Sequence, residues 1–475
     1  MLLSCWLSAL LAVAFVGRPG EETAPAGEST HRAVPAEERT AIDRYVRAPD
    51  DSYAWSLAGR NHNAGASTFV IDLTSQTWLS PDEVDRIRWQ HWLVVVKPDR
   101  ATSSTALLFI GGGRNGREKP GGADERLLRL ALATNSVVAE IGQIPNQPLV
   151  FDGDGQPRVE DDLIGYTWDR YLKTGDERWP ARLPMVKAVV RAMDAIQALL
   201  ARDDVGGPAV DRFTIAGGSK RGWTTWMTAA VDRRVAAIAP IVIDVLNVQP
   251  SMEHHWRAYG FWAPAIGDYV RHRIPERRKT ARYADLMTIE DPYLYRERFT
   301  MPKCIINATG DQFFLPDSSQ FYFDDLPGEK HLCYVPNGDH SLRETNAFET
   351  LIAFQWSIVN DVPRPKFSWT FAGDDTIRVR AETRPNRALL WRATNPAARD
   401  FRVETIGRAY TSAELRPAED GTFTARVERP QAGWTAYLVQ LEFDVGGPVP
   451  LRLTTPVRIV PDVLPFADQE PPVGE

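Results

Sequence analysis

Cysteine is scarce in this chain: Cys5, Cys304 and Cys333 are the only three in 475 residues. Cys5 falls inside an apolar N-terminal run, so two remain, too few for a disulfide framework. Each of those two reads as a small buried hydrophobe, with a disulfide between them as the alternative. An excess of charge is also missing. Lys+Arg 55 against Asp+Glu 62 leaves a net charge of −7 spread along the chain, which excludes a general attraction to nucleic acid or an anionic membrane surface. Metal and nucleotide signatures are incomplete as well. Gly111-Gly112-Gly113 has no Lys-Ser/Thr ending, so it is not a Walker loop. Asp152-Gly153-Asp154-Gly155 lacks the following oxygen ligands of a calcium loop and reads as a hairpin turn. His254 and His255 are adjacent, so on a helix their side chains diverge and do not chelate. No metal or cofactor is expected.

What is present describes a globular protein, with 43% hydrophobic and 25% charged residues. The length favours two domains. The run MLLSCWLSALLAVAFVG has an apolar core of about 15 residues, which suits a signal-peptide h-region and falls short of a membrane span. It lacks a basic n-region; cleavage would follow Ala12-Val13-Ala14 or Ala24-Pro25-Ala26. The expectation is a secreted or periplasmic protein with no integral membrane segment once mature. Cys5 then leaves with the leader rather than carrying a lipid.

Residues 1–26 therefore read as signal and linker, and 27–365 as an α/β domain. Apolar strand-like runs (TFVIDL, HWLVVV, ALLFIGGG, SVVAEIG, FTIAGGS, VAAIAPIVI, KCIINATGD, HLCYVPN) alternate with helix-like segments such as PMVKAVVRAMDAIQALL and TNAFETLIAFQWSIV. That order predicts a mainly parallel sheet covered on both faces. After Pro363-Arg364-Pro365 the periodicity becomes two. Tyr437, Val439, Leu441 and Phe443 share one face, and turn signals recur about every ten residues, which predicts a β-sandwich over 366–475. That segment could bind carbohydrate, pack on the first domain or mediate assembly.

The segment TIAGGSKRGW carries the chemistry. Gly217-Gly218-Ser219-Lys220-Arg221-Gly222 nearly matches the G-x-S-x-G nucleophile elbow, except that its closing glycine arrives one residue late. Ser219 would stand where a strand turns into a helix, with its Oγ at the carboxyl edge of the sheet. Read alone, the segment is equally a glycine-rich turn capped by serine. A serine nucleophile needs a base held by a third group. His340 follows HLCYVPN and Asp311 follows CIINATG, giving the α/β-hydrolase chain order Ser219, Asp311, His340. Cys304 precedes Asp311 and Cys333 precedes His340 by the same seven residues. On adjacent parallel strands this brings acid and base to one edge and leaves the thiols near each other below it. Backbone N–H groups of Gly112 or Gly113 and of Lys220 would bind the oxyanion.

Between VAAIAPIVI and KCIINATG lies an insertion of about 244–302, placed to form a helical cap over Ser219. Its Trp256 and Trp262, together with Trp223, are candidates to line the substrate site, with packing inside the cap as the plainer reading. The basic run RHRIPERRKTAR in it reads as a solvated face, and an anionic substrate is the sharper alternative. Asp161, Asp162, Tyr166 and Trp168 either shape the pocket or pack their helix.

Taken together, GGSKRGWTTW, NATGDQFF with PDSSQFYF, PNGDHS, YVRAPDDSYAWS and EDDLIGYTWDRYL resemble the PhoPQ-activated pathogenicity-related family, which includes the autocrine proliferation repressors of amoebae. The resemblance covers nearly the whole chain. It implies an exported α/β-hydrolase fold and carries Ser219, Asp311 and His340 over as a triad; the sandwich expected after that fold is of immunoglobulin-like type. The elbow itself is similar to that of glucuronoyl esterases, whose serine is followed by a basic residue that assists the oxyanion. By that likeness the Lys220 cation would sit near the tetrahedral intermediate; a solvated lysine at a helix start is the alternative. The expected activity is acyl transfer to water from a small-molecule or peptide substrate. A carboxylesterase comes first and a peptidase or amidase second. From a different class comes a secreted signalling or binding protein on a hydrolase scaffold.

Overall fold

The computed structural model describes residues 30–63 and 65–473. The N-terminal apolar run and its cleavage sites lie outside the described residues. Strands β1 (Ala54–Asn63), β2 (Ala66–Thr77), β3 (Arg88–Pro98), β4 (Thr105–Ile110), β5 (Val138–Ile141), β6 (Arg212–Gly218), β7 (Val235–Ile241), β8 (Lys303–Ala308) and β9 (Lys330–Val335) stand in the order β1-β2-β3-β5-β4-β6-β7-β8-β9. β5, β4, β6, β7, β8 and β9 run parallel, and β1 to β3 form an antiparallel flank. The parallel strands read as continuous apolar runs because both faces are covered, and every residue of β8 is buried.

Helices α1 (Ala41–Arg47), α2 (Glu125–Thr134), α3 (Glu160–Thr174), α4 (Arg182–Leu200) and α5 (Lys220–Val231) precede the helical insertion, which contains α6 (Val248–Tyr259), α7 (Gly267–Arg271) and α8 (Ala281–Glu290); α9 (Ala347–Val359) follows β9. One apolar cluster joins α1, α3, α4 and α5 to one face of the sheet through Val189, Ile196, Phe213 and Ile215. The other face carries α2 and α9 through Leu130, Leu351 and Phe354.

The C-terminal region contains β10 (Phe367–Ala372), β11 (Thr376–Ala381), β12 (Arg387–Asn395), the short helix α10 (Val403–Ile406), β13 (Thr411–Glu414), β14 (Thr422–Arg426), β15 (Trp434–Phe443), β16 (Leu451–Thr454) and β17 (Arg458–Val460). β10, β11 and β14 make a separate three-stranded sheet. β16-β15-β12-β13 continues the main sheet beyond β9, through the pair Thr454–Leu332 and a bond from Tyr334 N to Thr454 Oγ1 at 3.0 Å. Ile377, Val379 and Phe423 of the small sheet share a core with Tyr437, Val439, Leu441 and Phe443, the face expected from their alternation. The two regions of the chain therefore share strand pairing as well as a linker.

Candidate active site

β6 ends in Gly217-Gly218 and α5 begins at Lys220, so Ser219 occupies the turn between them with φ 58° and ψ −129°. A non-glycine residue there costs roughly 1–3 kcal/mol, sustained only where the surroundings over-determine it. Ser219 N donates to Ile241 O at 2.8 Å and Trp223 N to Ser219 O at 2.9 Å, fixing the turn between the neighbouring strand and the new helix. The late glycine has a steric cause. A Cβ on Gly222 would lie 2.9 Å from both Gly217 O and Ile241 O, so α5 packs this close to β6 and β7 only with glycine there.

Lys220 and Arg221 are held by carboxylates of α3. Lys220 Nζ lies 2.8 Å from Glu160 Oε2 and 3.1 Å from Asp161 Oδ2, and Arg221 grips Glu160 with two bonds of 2.8 Å. Burial favours the neutral Glu160 carboxyl, but Arg221 and Lys220 outweigh it and hold the group far below the usual carboxylate range. The Lys220 cation is thus neither solvated nor free: it is buried and paired. Its backbone O accepts from Arg182 Nη1 at 2.6 Å, and Arg182 is itself paired at 3.1 Å with Glu290, both fully buried. The first N–H groups of α5 have no partner within the helix and point out of its N-terminus, beside Ser219.

The three-glycine run follows β4, two strands from β3 and next to β6. Gln147 Nε2 donates to Gly113 O at 3.0 Å and to Glu160 Oε1 at 2.6 Å, so one amide ties this loop to the carboxylate that holds the elbow cations. Gly113 has φ 144°, a conformation that favours glycine, and a Cβ on Gly112 would come within 2.8 Å of Arg221 Nη2.

After β8 and β9, Asp311 and His340 meet at the same edge. His340 Nδ1 lies 2.8 Å from Asp311 Oδ2 and 2.9 Å from Oδ1, leaving Nε2 as the other ring nitrogen. Asp311 is buried and also accepts from Phe313 N at 2.8 Å. The Phe313 ring centre is 4.2 Å from that of His340, and Phe313 and Ser219 line the same cavity. Below the edge, Cys304 and Cys333 are both buried free thiols, as the first reading expects.

This cavity lies between the elbow and the insertion. Its wall is mostly aromatic and aliphatic, with Trp168, Trp223, Met252, Trp262, Tyr269 and Phe314 among its residues and Lys220, Asp161 and Arg278 as its charges. Its volume is about 80 Å³; on the same measure a single water takes about 10–15 Å³. Of the expected lining residues, Trp223 and Trp262 are on the wall. Trp256 is not: it packs against Trp262 with ring centres 5.0 Å apart.

Other motifs are absorbed by structure. Asp152 accepts from Tyr166 OH at 2.9 Å and Asp154 pairs with Arg158, across a short bridge between Leu149 and Arg158. His254 meets Asp317, whereas His255 accepts from Ala263 N, so the two rings do diverge. Much of the basic run is paired: Arg271 and His272 with Asp162, Arg273 with Glu276, Arg277 with Asp169. Among the described residues, no group of three or more His, Cys, Asp or Glu is placed to hold a metal, and no helix is long and apolar enough to cross a membrane. Glu160 is the residue that reading the sequence missed. The available signal was Glu160-Asp161, an acidic pair opening a helix, in a chain whose elbow carries a Lys-Arg pair.

A parallel sheet in this order, with a strained serine turn after the strand beside the three-glycine loop and a carboxylate and imidazole after the last two parallel strands, is an α/β-hydrolase fold. The chain belongs to the PhoPQ-activated pathogenicity-related protein family, whose model matches residues 42–402. It is 36% identical over 456 residues to autocrine proliferation repressor protein A of Dictyostelium discoideum, covering 90% of this chain and 92% of that protein. Among solved structures, acetyl xylan esterase 1 from Thermoanaerobacterium sp. is similar at a TM-score of 0.46 and 14% identity, over 67% of this chain and 92% of its own. A glucuronoyl esterase from Solibacter usitatus is similar at a TM-score of 0.40 and 13% identity, over 66% of this chain and 90% of its own. The strand order defines the class independently of these two likenesses.

Proposed function

We propose that this protein is a serine hydrolase that cleaves a carboxylic ester through an acyl-enzyme. The observation that carries the reading is Ser219 in a strained strand-to-helix turn on the wall of an apolar cavity, with the Asp311–His340 pair packed behind Phe313 of that wall. His340 Nε2 takes the Ser219 hydroxyl proton as Oγ attacks the carbonyl carbon, and Asp311 stabilises the imidazolium. N–H groups of Lys220 and of Gly112 or Gly113 bind the oxyanion. The C–O bond to the leaving alcohol breaks as His340 returns the proton to it. Water, deprotonated by the same ring, then attacks the acyl carbon, releases the acid and restores Ser219. No metal or cofactor enters the sequence of steps.

A small cavity with a mostly apolar wall suits a compact uncharged acyl or alcohol group better than a peptide running through, so the esterase reading stands ahead of the peptidase or amidase. The insertion acts as a cap, and the C-terminal region is an immunoglobulin-like sandwich whose second leaf extends the main sheet. Export through the N-terminal apolar run places the enzyme outside the cytoplasm. The name of the Dictyostelium relative favours a second reading, a secreted regulator on the same scaffold with an idle site. Hydrolysis of p-nitrophenyl acetate separates the two: turnover abolished by Ser219→Ala supports the enzyme, and no turnover above that of Ser219→Ala at any pH from 5 to 9 favours the regulator.

A further inference from the structure

The sequence leaves the C-terminal region without a role, and its contacts give it one. Between β12 and β13 runs a connection that includes α10. It bonds at two points to the loops that carry the acid and the base, and at a third just beyond. Val403 N donates to Gly310 O at 3.0 Å, one residue before Asp311. Tyr410 N donates to Asn337 Oδ1 at 2.8 Å and Asn337 Nδ2 returns a bond to Tyr410 O at 2.9 Å, three residues before His340. Arg399 Nη2 lies 2.7 Å from Asp317 Oδ2, and that carboxylate also meets His254 of α6 at 3.0 Å. Gly310 N donates to Gly338 O at 2.9 Å, so the acid loop, the base loop and this connection are hydrogen-bonded in one series.

The connection is itself stiff. The buried Asp400 carboxylate takes Arg402 Nε at 2.9 Å and Thr405 Oγ1 at 2.9 Å. The contacts are also close-fitting: a Cβ on Gly310 would sit 2.4 Å from Val403 Cγ2. Asn337 has φ 60°, in the left-handed region, and its side chain is occupied by the Tyr410 backbone. The Tyr410 backbone thus fixes the Asn337 side chain, beside the bonds from Asn337 N to Thr309 Oγ1 at 3.1 Å and from Gly338 N to Val335 O at 3.2 Å that hold the loop from its own region.

We propose that the Arg399–Tyr410 connection is a positioning element of the active site, setting the separation of the Asp311 and His340 loops so that the imidazole faces Ser219. Gly310, Asn337 and Val403 are its positioning residues. The proposal rests on the serine-hydrolase reading and assigns the C-terminal region a part in it. None of these three residues lines the cavity, so their loss falls on turnover and leaves substrate binding unchanged. Displacements of about 1 Å in such sites cost up to about a hundredfold in rate.

The test uses the full chain with p-nitrophenyl acetate and a fluorophosphonate probe, comparing wild type, Asn337→Ala, Gly310→Ala and Gly310→Ala/Val403→Ala. Expected are a fall of at least about tenfold in kcat and in labelling rate for both single variants, KM within about twofold of wild type, and recovery of at least about threefold in the double variant, which removes the clashing Cγ2. Where Gly310→Ala does not fold, Asn337→Ala decides by its split between kcat and KM. Wild-type kcat in Asn337→Ala, or a loss carried by KM, overturns the positioning role while wild-type labelling keeps the hydrolase reading intact. A wild type that is never labelled overturns both.

Discussion

Glu160 Oε2 lies 2.8 Å from Lys220 Nζ, and the same carboxylate closes a two-bond pair with Arg221. One acidic residue, 59 positions before Ser219, therefore orders both cations that follow that serine. Through Gln147 it also reaches Gly113. Replacing Glu160 by Gln keeps the shape and removes the charge, which leaves Lys220 with Asp161 alone and weakens the grip on Arg221. The expected result is a fall of about 10- to 100-fold in kcat/KM for p-nitrophenyl acetate, with the protein still folded by circular dichroism.

Gly112→Ala tests the loop from the other side. The added methyl comes within 2.8 Å of Arg221 Nη2 and 3.1 Å of its Cζ, so it must displace either the glycine loop or the Arg221–Glu160 pair. On the proposed mechanism either outcome misplaces an oxyanion donor. A loss of at least about tenfold in kcat is expected, measured at saturating substrate.

The two insertion tryptophans separate by location. Trp262→Ala opens the cavity wall and should raise KM for aryl esters several-fold while changing Tm little. Trp256→Ala removes the ring behind Trp262 and should lower stability by about 2 kcal/mol, less than the roughly 3–5 kcal/mol of a fully buried Trp→Ala change because the site is only half buried. Thermal unfolding and steady-state kinetics on both variants check the assignment.

Acid stability should depend on the join between the two regions. Burial raises the Glu329 carboxyl, but Arg364 of the linker and His331 outweigh that and bring it down to about 2 from an ordinary 4.5. A carboxylate lowered on folding contributes stability that is present above about pH 4.5 and is lost as pH falls toward 2. Arg364→Gln should therefore cost about 1 kcal/mol at pH 7, given that Glu329 is a third exposed, and distinctly less at pH 3. Unfolding midpoints at the two pH values measure the difference.

The parallel strands and the serine turn were legible because their signals are local. Runs such as KCIINA are apolar throughout since both faces are covered, and two glycines before Ser219 announce the turn. What escaped depends on partners distant in the chain. β1 alternates poorly and is half exposed, so AWSLAGRNHN carries little periodicity. The continuation of the sheet from β9 into β16 rests on the pair Thr454–Leu332, which no local pattern encodes. Lys220 read as solvated or catalytic because its carboxylates lie at 160 and 161, on a helix whose approach only the fold reveals. Trp256 and Trp262 looked equivalent in sequence; α6 ends between them at Gly260, and only Trp262 lines the cavity, with Trp256 packed against it.

On the proposed mechanism Ser219 is a nucleophile activated by His340. Intact-mass and peptide mass spectrometry after treatment of the full chain with a fluorophosphonate test it most directly. The expected result is one adduct, mapped to the peptide bearing Ser219, absent in Ser219→Ala and formed at least about a hundredfold more slowly in His340→Ala. An adduct on another residue, or labelling that His340→Ala leaves at the wild-type rate, would contradict it.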